Sequence, residues 1–164
     1  MAENHFHRVA VGGTFDSLHR GHRHLLEKAF EVGATVIIGL TTDEFSKKYP
    51  KEHPIASYVY RKRQLRRLLN ALGVLSRAMI VPLNDAFGPA ATDGGIEALI
   101  VSRETEPTGR EINEQRAARG MKPLTILVID MILADDRLPI NTTRIRRREL
   151  DPEGHLLRIG SGSS

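Results

Sequence analysis

Five short runs of apolar residues recur along the chain, at 6–13, 34–41, 78–83, 98–102 and 124–129. Between them lie segments whose apolar residues return at helical spacing. Runs that are apolar almost throughout suit strands covered on both faces. Alternation of such strands with helices implies a parallel sheet, because each parallel neighbour needs a crossover long enough to hold a helix. Right-handed crossovers bring the C-terminal ends of all the strands to one edge, where ligands bind. Thr14, Thr41, Leu83, Ser102 and Asp130 follow the five runs and are expected to share that edge. The expected fold is α/β: one domain over 1–164, with a five-stranded parallel sheet and helices on both faces.

The connecting segments carry their own punctuation. A first helix is expected over 20–32, with Gly33 as its C-cap. A short helix follows over 44–48, capped by Thr42 or Asp43, and then a polar loop containing Pro50 and Pro54. Ser57 opens a helix over 58–72 that Gly73 ends. Leu65, Leu68, Leu69 and Leu72 form its inner face, and five cations, Arg61 among them, form the outer one. Arg61 is therefore read as helix surface, with contact to a ligand as the alternative. Further helices are expected over 108–120 and 142–149, and 84–95 reads as loop. Residues 1–5 and 160–164 read as flexible ends.

Composition narrows the function classes. Of 164 residues, none is Cys, which excludes disulfides, thiolate metal sites and cysteine nucleophiles. No apolar run reaches membrane-spanning length and no signal-peptide core opens the chain, so a soluble cytoplasmic protein is expected, with no membrane partner. The net charge of +4 suits either nucleic acid or a set of phosphate-bearing small molecules. Aromatic residues make up only 5%, too few for the stacking platforms of a nucleic-acid binder. An RNA-binding module built on the cations of 61–67 and 144–148 is the non-enzyme alternative.

The first apolar run leads into Gly12-Gly13-Thr14-Phe15-Asp16-Ser17-Leu18-His19-Arg20-Gly21-His22. Strand end, glycine turn and helix start form a place where backbone N–H groups converge and the helix dipole favours an anion. His19 and His22 stand at that point, with Gly21 between them to let a phosphate approach the backbone. The bland reading, in which Thr14 caps a turn and the histidines are incidental, is the weaker one for a pair so placed. A zinc site on His19, His22 and His24 lacks a further ligand, and His24 falls on another side of the helix. Neither GxxxxGK[ST] nor GxGxxG occurs, so the common phosphate-loop and dinucleotide patterns are missing.

This stretch resembles the HxGH signature of the nucleotidylyltransferase superfamily, Rossmann-like enzymes that attach AMP or CMP to a phosphate. Ile140-Asn141-Thr142-Thr143-Arg144-Ile145-Arg146 resembles the second signature of that superfamily, I-S-S-T-x-x-R, with Asn141 and Thr142 in place of its two serines. The segments 101–116, 85–89 and 134–136 extend the likeness to the archaeal and eukaryotic-type phosphopantetheine adenylyltransferases over most of the chain. The resemblance implies transfer of AMP from ATP to 4′-phosphopantetheine, giving dephospho-coenzyme A and pyrophosphate, with Mg2+ bridging the ATP phosphates. It implies that Gly13, Thr14 and Phe15 hold nucleotide and acceptor phosphate, and that His19, Gly21 and His22 meet the ATP phosphates. It puts Lys47 or Lys48 at the acceptor's phosphate. Ser102, Arg103, Glu104, Thr105 and Asn113 fall where adenosine is expected. Asn141, Thr142 and Thr143 would anchor the nucleotide, and Arg146 would neutralise the departing pyrophosphate. The remaining expectations are small-molecule partners only, no metal held by the protein itself, and a monomer or small homo-oligomer. A sister enzyme, making CDP-linked products, FAD or NAD, is the alternative within the superfamily.

Overall fold

A computed structural model of the chain describes residues 5–48, 54–130, 145 and 151–156. Its elements follow the order β1 (Phe6–Gly13), α1 (Arg20–Val32), β2 (Gly33–Thr41), α2 (Asp43–Lys47), α3 (Tyr58–Ala71), β3 (Ala78–Leu83), β4 (Ala98–Ser102), α4 (Glu106–Ala118) and β5 (Thr125–Ile129). The five strands form one sheet in the order β3-β2-β1-β4-β5, and every pairing is parallel. The architecture is the expected Rossmann-like α/β fold. From β1 the chain builds outward first through β2 and β3, then returns to build through β4 and β5. The reversal leaves a crevice at the C-terminal ends of β1 and β4, the usual ligand position in such sheets.

Side chains alternate across the sheet because successive residues of a strand face opposite ways. Val9, Val11, Val36, Ile38 and Ile100 pack on one face with Leu26 and Phe30 of α1 and Leu65 and Leu69 of α3. Ala10, Ile37, Leu99 and Val101 pack on the other with Ile112 of α4 and the 3-10 turn Gly88–Ala91. Each fully buried leucine contributes about 2 kcal/mol of hydrophobic stabilisation.

Two expectations change and a third gains a reason. Gly33 caps α1 as expected, its N–H donating to the Ala29 carbonyl, but in extended backbone at φ −116° and ψ 136°, where it also starts β2. A Cβ there would stand 2.6 Å from a methyl of Val9, so close strand packing is what calls for glycine. Helix α4 begins at Glu106, earlier than expected, with Pro107 in its first turn where a missing N–H costs nothing. Arg61 is not surface: it is 1% exposed, so α3 turns four of its five cations outward and one inward. The helix expected at 142–149 lies outside the described residues, apart from Ile145, which is helical.

Candidate active site

Strand β1 ends in Gly13, and the chain then makes a turn that no regular element stabilises. Phe15 and Ser17 both take φ 49°, a left-handed conformation costly for residues with a Cβ. Phe15 is 2% exposed; its ring closes against Gly13 and lies 5.5 Å from the His22 ring. What Phe15 can offer a ligand is therefore its backbone. Asp16, 4% exposed, accepts a bond from the Ala56 N–H and ties the turn to the segment entering α3.

The two histidines close the start of α1 on each other. His19 Nδ1 accepts from the Gly21 N–H at 3.0 Å, and His22 Nδ1 accepts from the His19 N–H at 3.1 Å. This is a reciprocal cap in which imidazoles replace the usual Ser and Glu. It also fixes the chemistry of both rings. A nitrogen that accepts an N–H bond holds a lone pair, so the proton of each neutral ring is on Nε2. The rings stack with centroids 3.8 Å apart, and burial lowers the His19 pKa from 6.5 to about 4. His19 is neutral at physiological pH and acts as a donor rather than a cation. The first turn of α1 contains no acidic residue to oppose an incoming anion.

The segment that follows the second motif returns to this helix end. The Arg20 N–H donates to the Pro152 carbonyl, and Arg23 makes a two-pronged pair with Glu153 at 2.7 and 2.8 Å. Ile145 lines a cleft with Phe15, Asp16, Ser17, Leu18, Tyr60 and Arg61. One residue of the second motif thus lies beside the first. Asn141, Thr142, Thr143 and Arg146 are outside the described residues.

The other expected residues divide. Lys47 ends α2 and Lys48 caps it, both exposed, with Thr42 as the N-cap through a bond to the Phe45 N–H. Ser102 and Thr105 bond to each other across the turn into α4, at the same sheet edge as Thr14. Arg103 reaches Asp130 at 3.4 Å while Glu104 is exposed beside it. Asn113 is drawn elsewhere. Its amide donates to the Leu124 carbonyl and its oxygen accepts from the Leu124 N–H, so both ends brace the entry to β5. Its side chain is structural because a buried backbone needs those partners.

A cavity of about 210 Å³ opens at the crevice, over the face covered by α4. Gly12, Gly39, Leu83, Phe87, Leu99 and Gly109 are among its walls. Leu83 lies across the strand glycines: a Cβ on Gly39 would stand 2.6 Å from its Cγ. The cavity is mostly apolar and adjoins the polar turn, a combination that suits a ligand with one charged end.

Sequence reasoning missed Arg61. Its guanidinium donates to the Thr14 carbonyl at 3.0 Å, the Ala56 carbonyl at 2.8 Å and Thr41 Oγ1 at 3.3 Å, and pairs with Asp43 at 3.4 Å. The signal was present, since Arg61 precedes Leu65 and Leu69 at four-residue steps and belongs to the inward stripe.

Residues 10–148 match the cytidylyltransferase-like family. The phosphopantetheine adenylyltransferase of Methanothermobacter thermautotrophicus is 49% identical, covering 92% of this chain and 89% of that protein. That of Methanopyrus kandleri is 44% identical over 86% of this chain and 89% of its own length. Among solved structures, an Archaeoglobus fulgidus protein described as of unknown function superposes with a TM-score of 0.67. It is 28% identical and covers 76% of this chain and 98% of its own.

Proposed function

The chain belongs to the cytidylyltransferase-like family, among the phosphopantetheine adenylyltransferases, and from that premise we propose how its residues divide the reaction. It is an adenylyltransferase of coenzyme A synthesis, transferring AMP from ATP to 4′-phosphopantetheine. The observation that carries the site assignment is the pair of Nε2–H donors fixed at the start of α1.

In the transfer, an oxygen of the acceptor phosphate bonds to the α-phosphorus of ATP. The bond from that phosphorus to the bridging oxygen of the β-phosphate breaks, and pyrophosphate leaves. A phosphate monoester has a second pKa near ~6 and is already anionic at neutral pH, so the attack needs no general base. The chain has to align two polyanions and supply donors where charge grows. His19 and His22 present Nε2–H groups to the oxygens at the α-phosphorus, with the α1 dipole behind them. A neutral donor at His19 suits this step because its strength does not vary with pH in the working range. The backbone of Gly13, Thr14 and Phe15 holds the phosphates at the strand end, and Gly21 keeps the approach to the helix open. Lys47 or Lys48, at the end of α2, meets the acceptor's phosphate. Arg146, next in the chain to Ile145, meets the pyrophosphate, and Asn141, Thr142 and Thr143 anchor the nucleotide. Ser102, Arg103, Glu104 and Thr105 border the adenosine. The apolar cavity takes an uncharged part of a substrate. ATP enters as its magnesium complex, the ion carried by the triphosphate and lowering the charge on the leaving pyrophosphate. We place the enzyme in the cytoplasm, as one domain that works as a monomer or small homo-oligomer.

Steady-state assays pairing ATP or CTP with 4′-phosphopantetheine, glycerol phosphate, NMN or FMN test this reading. Turnover confined to ATP and 4′-phosphopantetheine is expected. Preference for CTP, or for another acceptor, would assign the chain to a sister activity.

A further inference from the structure

We propose that Arg61 is a positioning residue, which holds the left-handed phosphate turn in shape and locks it to the helix bearing Lys47 and Lys48. At 1% exposure its guanidinium is committed to protein partners. Its donors are distributed between the two halves of the site. One Nη1 bond goes to the Thr14 carbonyl, inside the turn, and another to Thr41 Oγ1, at the end of β2. Nη2 pairs with Asp43, the first residue of α2, whose carboxylate also accepts from the Tyr58 N–H at 2.8 Å. Nε donates to the Ala56 carbonyl, and the Ala56 N–H in turn donates to Asp16 in the turn. Thr41 closes the set by sharing a hydrogen bond with Ser46 of α2.

The need for such a lock follows from the backbone. Phe15 and Ser17 both hold φ 49° on either side of Asp16, and a turn of that kind persists only where surrounding contacts over-determine it. A guanidinium is suited to the task because its planar fork donates in several directions at once without losing its charge. Lysine at the same place has the charge but not the fork, and cannot reach the Thr14 carbonyl and Asp43 together. The two phosphates that react must lie within bonding distance, so a small shift of the turn relative to α2 lowers the rate sharply. The inference rests on the nucleotidyl-transfer reading, but it makes a claim about the turn that can be tested without turnover.

The test compares Arg61→Lys with Arg116→Lys. Arg116 is another buried arginine, 3% exposed, whose bonds go to the Ala90, Asp93 and Lys122 carbonyls before β4 and β5. Each is assayed well below its melting temperature, with circular dichroism to verify folding. Hydrogen–deuterium exchange is followed over residues 13–18. Arg61→Lys is expected to raise exchange in that segment, to lower kcat roughly 10- to 100-fold and to raise the KM for 4′-phosphopantetheine. Arg116→Lys is expected to leave kcat, KM and that exchange as in the wild type at a similar loss of melting temperature. Equal exchange at 13–18 in Arg61→Lys and wild type would overturn the proposal, as would equal kinetic losses in the two variants. Should Arg61→Lys not fold, Asp43→Ala removes the carboxylate that Arg61 Nη2 reaches on α2 and is expected to raise the KM for the acceptor while kcat changes less; wild-type kinetics in that variant would also overturn it. Absence of wild-type turnover with faster exchange in Arg61→Lys would instead count against the assigned substrates while leaving the lock intact.

Discussion

Arg61 and Arg116 are withdrawn from solvent to nearly the same degree; Arg116 donates to backbone carbonyls, Arg61 to two carbonyls and to the Thr41 and Asp43 side chains. Arg61 stands at the edge where the strands end, and Arg116 where β4 and β5 begin. The segments Arg116 holds take positive φ only at Gly88 and Gly120, where no side chain objects. The segment Arg61 holds takes it at Phe15 and Ser17, where side chains do. Burial of a cation alone therefore says little about function. What separates the two is whether the backbone being held would keep its shape unaided. On that view the far edge is fastened for stability, and the near edge for geometry.

The most severe challenge to this contrast comes from His22→Ala. Removal of one fixed Nε2–H donor should lower kcat by roughly 10²- to 10³-fold, comparable to losing an oxyanion-hole donor. Unfolding in urea should shift by only ~1 kcal/mol, the cost of half a reciprocal cap. A large stability loss with modest kinetic change would make His22 a packing residue and the near edge no different from the far one. Arg116→Met should show the opposite profile, losing about 3 kcal/mol as buried carbonyls go without donors, with kcat unchanged in the folded protein. A fall in kcat there would merge the two edges.

The smallest effect at neutral pH, and the one that sharpens the contrast most finely, is that of His19→Asn on acid stability. Asparagine keeps a capping side chain but has no titrating ring. In the wild type, His19 binds its proton near pH 4 when folded and near 6.5 when unfolded. Between those values the unfolded chain binds more protons, so stability falls as pH drops through the window. The difference in unfolding free energy between wild type and variant, followed from pH 7 to pH 4, should therefore shift in the variant's favour. A difference independent of pH would mean that His19 is not held neutral by burial.

Much of this architecture was legible because it is written locally. Each β-branched run becomes a strand of the sheet, and the two histidines after the Gly-Gly turn cap the helix start through bonds within three residues, although the turn before them is held by residues far along the chain. The residues that were misjudged depend on partners far along the chain. Arg61 meets Thr14 across 47 positions, and no pattern within α3 names that partner, although the stripe shared with Leu65 and Leu69 marks the side chain as inward. The family resemblance puts Asn113 near adenosine, while in the structure the backbone of Leu124 takes both ends of its side chain. Gly33 caps α1 as its position suggests, but the close methyls of Val9 on the adjoining strand, which no local pattern names, are a further reason for glycine there. Spacing cannot reveal the apolar cavity either, since its width depends on how Leu83 lies over the strand glycines.

The left-handed pair in the turn after β1 has a consequence for how this sequence can drift. Glycine at 15 or 17 would relieve roughly 1–2 kcal/mol of steric cost in the folded chain but would forfeit about 0.5–1 kcal/mol through the freer unfolded one. Phe15 would also lose its buried ring, which is worth a further ~2–3 kcal/mol. At Ser17 the relief equals or exceeds the loss, so replacement there should leave thermal stability unchanged or raised by up to about 1.5 kcal/mol, whereas position 15 is pinned to a large side chain. Two neighbouring sites with the same dihedral angle thus face opposite mutational freedom.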